Sequence, residues 1–224
     1  MSTRTVDWTG GKPEGLRERK KRLMRQQLSD TATELFVERG FDAVRVAEIA
    51  DACGVSEKTV FNYFPTKESL VLDRWDGTMA ALRTGLAKPD VPPVQAALRI
   101  LADELGAMIS WLATQPDLAE AVTKVQRFGA LLDTTPALRT HQHDMTSRLI
   151  DVTAEILADR AGMTTADPEP RIAATALIGL WDIQSHSLRR HLDHVRTPAQ
   201  VRKAVTADVR RAADLIDTGL RSFG

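Results

Sequence analysis

The chain has 224 residues, 43% of them hydrophobic and 27% charged, and a formal net charge of zero. That length holds one large or two modest domains. Zero net charge excludes a generic polycation, so any affinity for nucleic acid must come from local clustering of charge.

The only cysteine is Cys53. An intrachain disulfide is therefore impossible, a cysteine-based metal site is not expected, and the residue reads as a small buried side chain in a short helix. Residues 1–15, with Gly10, Gly11, Pro13 and Gly15, read as a flexible arm. The polar N-terminus lacks a signal-peptide core, and no stretch reaches the roughly 18 uninterrupted apolar residues of a membrane span. A cytosolic protein without membrane association is expected.

Charge clusters at the start of the first helix. Lys12, Arg17, Arg19, Lys20, Lys21, Arg22 and Arg25 face only Glu14 and Glu18. Taken alone, such a run is a solvated helix face. The helix itself is predicted over 16–39, because Leu28, Ala32, Leu35 and Phe36 recur at steps of three or four. Gly40 follows as an αL cap and Phe41 resumes the apolar surface.

A short second helix is predicted over 46–53, carrying Ala47, Ile49, Ala50 and Cys53, and Gly54 ends it. Ser56 can cap a third helix over 57–64 by accepting a backbone N–H. Pro65 stops that helix. Thr66 then caps a fourth, expected to run unbroken over 67–87. Helix, tight glycine turn, helix is the spacing of a DNA-reading helix-turn-helix.

Lys88-Pro89-Asp90-Val91-Pro92-Pro93 is the sharpest break in the chain. Beyond it, helices are predicted at 94–114, 116–131, 135–162, 169–191 and 198–221. Pro116, Pro136, Pro168, Pro170 and Pro198 each sit at or near a helix start, with Thr134 and Thr197 as candidate caps. No internal repeat and no βαβ alternation is present. The expected fold is all-α: a three-helix helix-turn-helix domain at 16–66, after the arm at 1–15, and a larger helical bundle at 67–224.

On the third helix, Val60 and Phe64 fall on one face and should pack inward. Lys58, Thr59, Asn62 and Tyr63 are left to face out. An α-helix fits the major groove, and side chains near its N-terminus reach base edges. Lys58 suits guanine or phosphate, and Thr59 suits a phosphate or a thymine methyl. Asn62 can pair with adenine. Lys67 is placed at a helix start, where N–H groups favour a phosphate.

The segment 41–70, FDAVRVAEIADACGVSEKTVFNYFPTKESL, carries Gly40-Phe41, Val46, Ile49-Ala50, Gly54-Val55-Ser56, Thr59-Val60-Phe61, Tyr63-Phe64 and Lys67-Glu68. Together with Glu34-Leu35-Phe36 before it, this resembles the DNA-binding domain of the TetR (tetracycline-repressor-like) family. The resemblance covers roughly residues 20–72. It implies a transcriptional repressor that binds operator DNA as a homodimer and is released by a small-molecule effector. It places Tyr63 at a phosphate and sugar contact. Two positions depart from the pattern. Arg45 stands where the family usually has Thr, trading a hydroxyl cap for a possible phosphate contact. Phe61 stands where Tyr is frequent.

The resemblance also implies that the C-terminal domain dimerises and holds the effector. The helix at 169–191 mixes Ala173, Ala174, Ala176 and Gly179 with Ile172, Leu177, Ile178, Leu180 and Trp181. It is apolar nearly all round, so it must be buried on more than one side. The last helix repeats Val201, Val205, Val209, Ala212, Ala213, Ile216 and Leu220. Two such helices pairing with their mates would make a four-helix interface. Trp75, Met79, Met108, Trp111, Phe128, Met145 and Trp181 are candidates to line a pocket for an apolar or amphipathic ligand. Ordinary core packing is the competing reading for each of them.

Of the histidines, His141 and His143 diverge on a helix. His186, His191 and His194, with Asp193 near, could in principle hold a metal. Charged histidines at a helix C-terminus are the commoner reason for such a cluster, so no metal and no cofactor is expected. No phosphate loop, nucleophile elbow, HExxH or paired-cysteine motif is found, and an enzyme is not expected. An activator and a helical adaptor without DNA affinity are the competing readings. The adaptor predicts that Lys58, Thr59, Asn62, Tyr63 and Lys67 can be replaced without consequence.

Overall fold

The structure is a computed structural model that describes residues 15–72, 74–192 and 197–219. Among these, all regular structure is helical, and the chain divides into two compact units, one ending at Asp73 and the other starting at Arg74. Lys12, Glu14, Asp193, His194 and Leu220 lie outside the described residues, as does most of the arm.

The first unit contains α1 (Leu16–Arg39), α2 (Val46–Ala52) and α3 (Glu57–Tyr63). The predicted stripe of α1 is buried at Leu28, Ala32 and Phe36, and Leu35 is half-buried. Ile49 and Ala50 of α2, Val60 of α3, and Phe41, Val44, Phe64 and Leu70 are also buried. The Phe36 and Phe41 rings sit 5.0 Å apart. Two glycines make the turns: Gly40 has φ 87° and Gly54 φ 69°, backbone that other residues rarely adopt. Gly40 has ψ 150°, so it ends α1 outside the αL region expected for it.

The expected helix over 67–87 is interrupted. Residues Glu68–Leu70 form a single 3-10 turn, and a separate helix begins only at Arg74. The reason is competing hydrogen bonds, some within the turn and one from α1. Thr66 Oγ1 accepts from the Ser69 amide at 3.2 Å, and Ser69 Oγ donates to the Thr66 carbonyl at 2.6 Å. The Leu70 carbonyl, which a continuing helix would use, accepts instead from Ser29 Oγ on α1 at 2.8 Å. Residues 67–72 consequently group with the first unit.

The second unit contains α4 (Arg74–Leu86), α5 (Pro93–Ala113), α6 (Leu118–Thr134), α7 (Pro136–Ala161), α8 (Pro168–Leu192) and α9 (Pro198–Thr218). Proline opens α5, α7, α8 and α9, where its missing N–H costs nothing. The start of α6 is set by Asp117, whose carboxylate accepts from the Glu120 amide at 2.9 Å, two residues later than predicted. Thr197 caps α9 as expected, with Gln200 completing a capping box. Thr134 does not cap α7. It closes α6, its hydroxyl donating to the Ala130 carbonyl, and Thr135 takes the cap position.

The main core joins α5, α8 and α9 through Leu101, Leu105, Leu112, Leu177, Leu180, Val205 and Val209. A smaller cluster joins α4, α5, α7 and α8 through Leu82, Leu86, Ala96, Leu149 and Ile178. The proline-rich break at 88–93 is a fastened loop inside this unit. Arg160 of α7 donates to the carbonyls of Leu86 (2.6 Å), Lys88 (2.7 Å) and Val91 (3.0 Å).

Candidate nucleic-acid interface

The seven residues of α3 are too few for a stable isolated helix, so its ends must be held from outside. Ser56 caps the N-terminus. Its Oγ accepts from the Thr59 amide at 3.1 Å and pairs with the Thr59 hydroxyl at 2.9 Å. Val60 and Phe64 are fully buried, which fixes the roll of α3. Lys58, Phe61 and Asn62 are consequently exposed, and Thr59 and Tyr63 are half-buried. The outward face is the one expected, with Phe61 at 46% exposure adding an apolar edge.

The entry to α2 works without a hydroxyl. Glu48 Oε1 accepts from the Arg45 amide at 3.0 Å, and its Oε2 takes the Arg39 guanidinium at 2.7 Å. That is one half of a capping box, the acidic half. The backbone N–H of Arg45, with the Arg39 guanidinium beside it, holds the Glu48 carboxyl down at about 2, below its ordinary 4.5. The Arg45 side chain is 82% exposed. Its charge stands on the surface at the start of α2.

Two cations behave differently from their sequence neighbours. Lys67 opens no α-helix. Its ammonium donates to the Phe41 carbonyl at 2.6 Å and sits 4.3 Å and 5.4 Å from the Phe41 and Phe36 ring centroids. The helix-start phosphate site expected at Lys67 is absent, because the residues after it make only a three-residue turn. Arg25 also turns inward, onto Tyr63 and Phe64. Arg17, Arg19, Lys20 and Lys21 are exposed on the first turns of α1. Cys53 is half-buried, its thiol 3.9 Å from the Gln27 carbonyl.

Comparison with known proteins agrees with this geometry. The model for bacterial regulatory proteins of the tetR family matches residues 28–73, and the MftR C-terminal domain model matches residues 117–220. The "Putative mycofactocin biosynthesis transcriptional regulator MftR" of Mycobacterium tuberculosis is 30% identical over 153 residues, which is 68% of this chain and 73% of that protein. The chain belongs to the TetR family. It is a DNA-binding transcriptional regulator. The regulator TcmR of Streptomyces glaucescens is 43% identical over 58 residues, 26% of each chain. Among solved structures, Thermus thermophilus FadR, crystallised with lauroyl-CoA, shares the fold. Its TM-score is 0.50 and its identity 23%, covering 88% of this chain and 94% of FadR.

In this TetR-family regulator, the aromatic and methionine residues of the second unit are divided. Trp75, Met79 and Trp181 pack on the smaller cluster. Met108 and Trp111 pack on the main core, which Trp181 also touches. Phe128 and Met145 are half-buried and join neither cluster. Beside Trp181 lies a group the sequence reading missed. Glu104 of α5 accepts from the Thr78 hydroxyl of α4 at 2.7 Å and from the Trp181 indole N–H of α8 at 3.0 Å. Its only sequence signal was an acid beside Leu105, at helical spacing from Ile100 and Leu101.

Among the described residues the histidines hold no common site. His191 is buried and pairs with Asp208 at 3.0 Å, and Asp208 also accepts from Ser187 (2.7 Å), Arg190 (3.0 Å) and Arg211 (2.8 Å). The Ser187 hydrogen bond, helped by His191 and the two guanidinium groups, holds the Asp208 carboxyl below its ordinary range. Among the described residues, no three His, Cys, Asp or Glu side chains are grouped for a metal, and no helix is long and apolar enough to cross a membrane.

Proposed function

We propose that this regulator is a repressor that binds its operator as a homodimer and leaves it when an apolar or amphipathic effector binds the second unit. The carrying observation is the outward face of α3. A capped, core-anchored helix presents Lys58 and Asn62 to solvent, with Thr59 and Tyr63 beside them. In this reading Lys58 and Asn62 meet base edges, while Thr59, Tyr63 and Arg45 meet phosphates and sugars. Lys67 supports the head from within and is not counted among the contacts.

The homodimer is supported by what α8 leaves uncovered. Ala174, Leu177, Ile178 and Leu180 are buried within the unit, whereas Ile172 (67%) and Ile183 (38%) remain exposed with Gly179 between them. Positions 172, 179 and 183 share one helix face. An apolar stripe with a glycine at its centre suits close approach of a second copy, and an isologous pairing would present two reading heads to two half-sites.

The effector is assigned to the surroundings of Trp75, Met79 and Trp181, where Glu104 is the polar handle in an apolar lining. FadR, with its bound lauroyl-CoA, is an example of an amphipathic ligand on this fold. A ligand there separates Thr78 from Glu104 and displaces α4. It favours release only by binding the released form more tightly.

The test is selection of bound duplexes from a random library, followed by titration across a salt series. A two-fold-symmetric sequence bound by a dimer, steeply salt-dependent and lost in a Lys58→Ala/Asn62→Ala double variant, is the expected result. Equal weak binding to selected and scrambled duplexes overturns the reading.

A further inference from the structure

In the sequence Arg25 ends the basic run at the start of α1, and the structure puts it to a use of its own. Its Nη1 donates to the Tyr63 carbonyl at 3.0 Å, and its Cζ lies 4.6 Å from the centroid of the Phe64 ring. Tyr63 is the last residue of α3, and Phe64, fully buried, is the residue that terminates it. The last four carbonyls of any helix lack intrahelical partners. In α3 the Phe64 amide takes the Val60 carbonyl, which leaves the carbonyls of Phe61, Asn62 and Tyr63 without an amide four residues on in the helix. A cation at this end also opposes the negative end of the helix dipole.

One turn further along α1, Ser29 donates to the Leu70 carbonyl. Positions 25 and 29 share a face of α1. That face therefore carries two polar anchors, one for the end of α3 and one for the turn that follows. A guanidinium meets a ring and a carbonyl through a rigid planar fork; an ammonium can meet both too, as Lys67 does, but as a point charge with no plane of its own.

We infer that Arg25 is a positioning residue for the reading helix: by clamping the C-terminal end of α3 it sets the angle at which Lys58 and Asn62 are presented to DNA. This rests on the DNA-binding reading above. Arg25 acts on base discrimination through α3. Phosphate contacts, in contrast, raise affinity for every sequence alike and set the salt dependence.

The experiment compares wild type, Arg25→Lys, Arg25→Met and Lys58→Ala on the selected duplex and on its scrambled control, each across a salt series. Amide exchange of α3 is followed in the free proteins. Arg25→Lys is the decisive variant, because it keeps the charge and changes the geometry. Expected for Arg25→Lys and Arg25→Met is a fall in the ratio of specific to scrambled affinity of about tenfold, the effect of one mismatched base pair. Affinity for the scrambled duplex and the salt slope should not change, and exchange should quicken in α3 relative to α2. Should Arg25→Met fail to fold, the same readouts on Arg25→Lys decide the matter.

The proposal is overturned if Arg25→Lys behaves as wild type while Arg25→Met weakens both duplexes alike and lowers the slope by about 0.9, the signature of one lost phosphate contact. Wild type that fails to distinguish the two duplexes would instead overturn the DNA-binding reading itself, and Lys58→Ala serves as the internal measure of a direct contact.

Discussion

Each unit of this protein is fastened by an arginine that donates to backbone carbonyls, but what is fastened differs. In the first unit Arg25 holds the end of a seven-residue helix, and Lys67 and Ser29 each secure a further carbonyl nearby. The core there is small, so polar contacts from neighbouring elements decide where the short helices lie. In the second unit, helices of 13 to 26 residues bury broad apolar faces on one another. Arg160 there fastens a loop rather than a helix that reads anything. A small reading head is kept in shape by specific contacts; a large bundle is kept in shape by packing, with polar groups at a few exceptional places.

That contrast can be broken most directly at Arg160. Arg160→Met removes three charged hydrogen bonds of 3.0 Å or shorter and leaves the Leu86, Lys88 and Val91 carbonyls to find other partners. Hydrogen bonds to charged groups contribute roughly 1.5–3 kcal/mol each, and water can replace part of them in a surface loop, so a loss of about 3 kcal/mol is expected. Amide exchange resolved by unit is the measurement. The loss should fall on α4, α5 and α7 and leave α1–α3 protected as before. An unchanged second unit would mean that packing alone holds the loop.

A smaller change sharpens the comparison from the opposite side. Thr153 on α7 is fully buried, and its hydroxyl is the one buried side-chain oxygen or nitrogen among the described residues without a hydrogen-bond partner. Valine has the same shape without the unmet hydroxyl. Thr153→Val is expected to stabilise the second unit by about 1 kcal/mol, read as a shift of its denaturant midpoint at constant m. Destabilisation would mean that the hydroxyl is engaged in solution.

Arg160 also shows where sequence reading stopped. The helix-turn-helix was legible because each of its parts is demanded locally: Gly54 by a positive φ, Ser56 by unmet amides, Pro65 by its ring, Val60 and Phe64 by the helical period. Nothing local marks Arg160, whose partners lie about seventy residues upstream, or Glu104, which meets Trp181 77 residues away. Lys67 and Arg25 were visible as charges, but the direction in which a cation points depends on rings and carbonyls supplied by other parts of the unit. The helix expected over 67–87 failed for the same reason. Its periodicity was adequate, and the competing donors, the Ser29 and Ser69 hydroxyls, sat on α1 and within the turn itself.

The smallest expected effect concerns charge at the entrance to α2. Glu48 takes the Arg45 amide and the Arg39 guanidinium, and its carboxyl is held at about 2 against an ordinary 4.5. A carboxyl with a depressed folded-state value contributes stability that is fully present above its unfolded value and lost as the pH falls through the folded one. The first unit should therefore lose protection at the start of α2 as the pH drops from 4.5 toward 2, and Glu48→Gln should show less protection at neutral pH and no such slope. The group is open to solvent, so the effect should be modest and should shrink with added salt. Resolving exchange by unit separates it from Asp208, whose carboxyl is also held low but lies in the second unit. An unaltered slope in Glu48→Gln would assign the acid sensitivity of the reading head to another carboxylate, and would show that α2 is positioned by Ile49 and Ala50 in the core without help from its acidic cap.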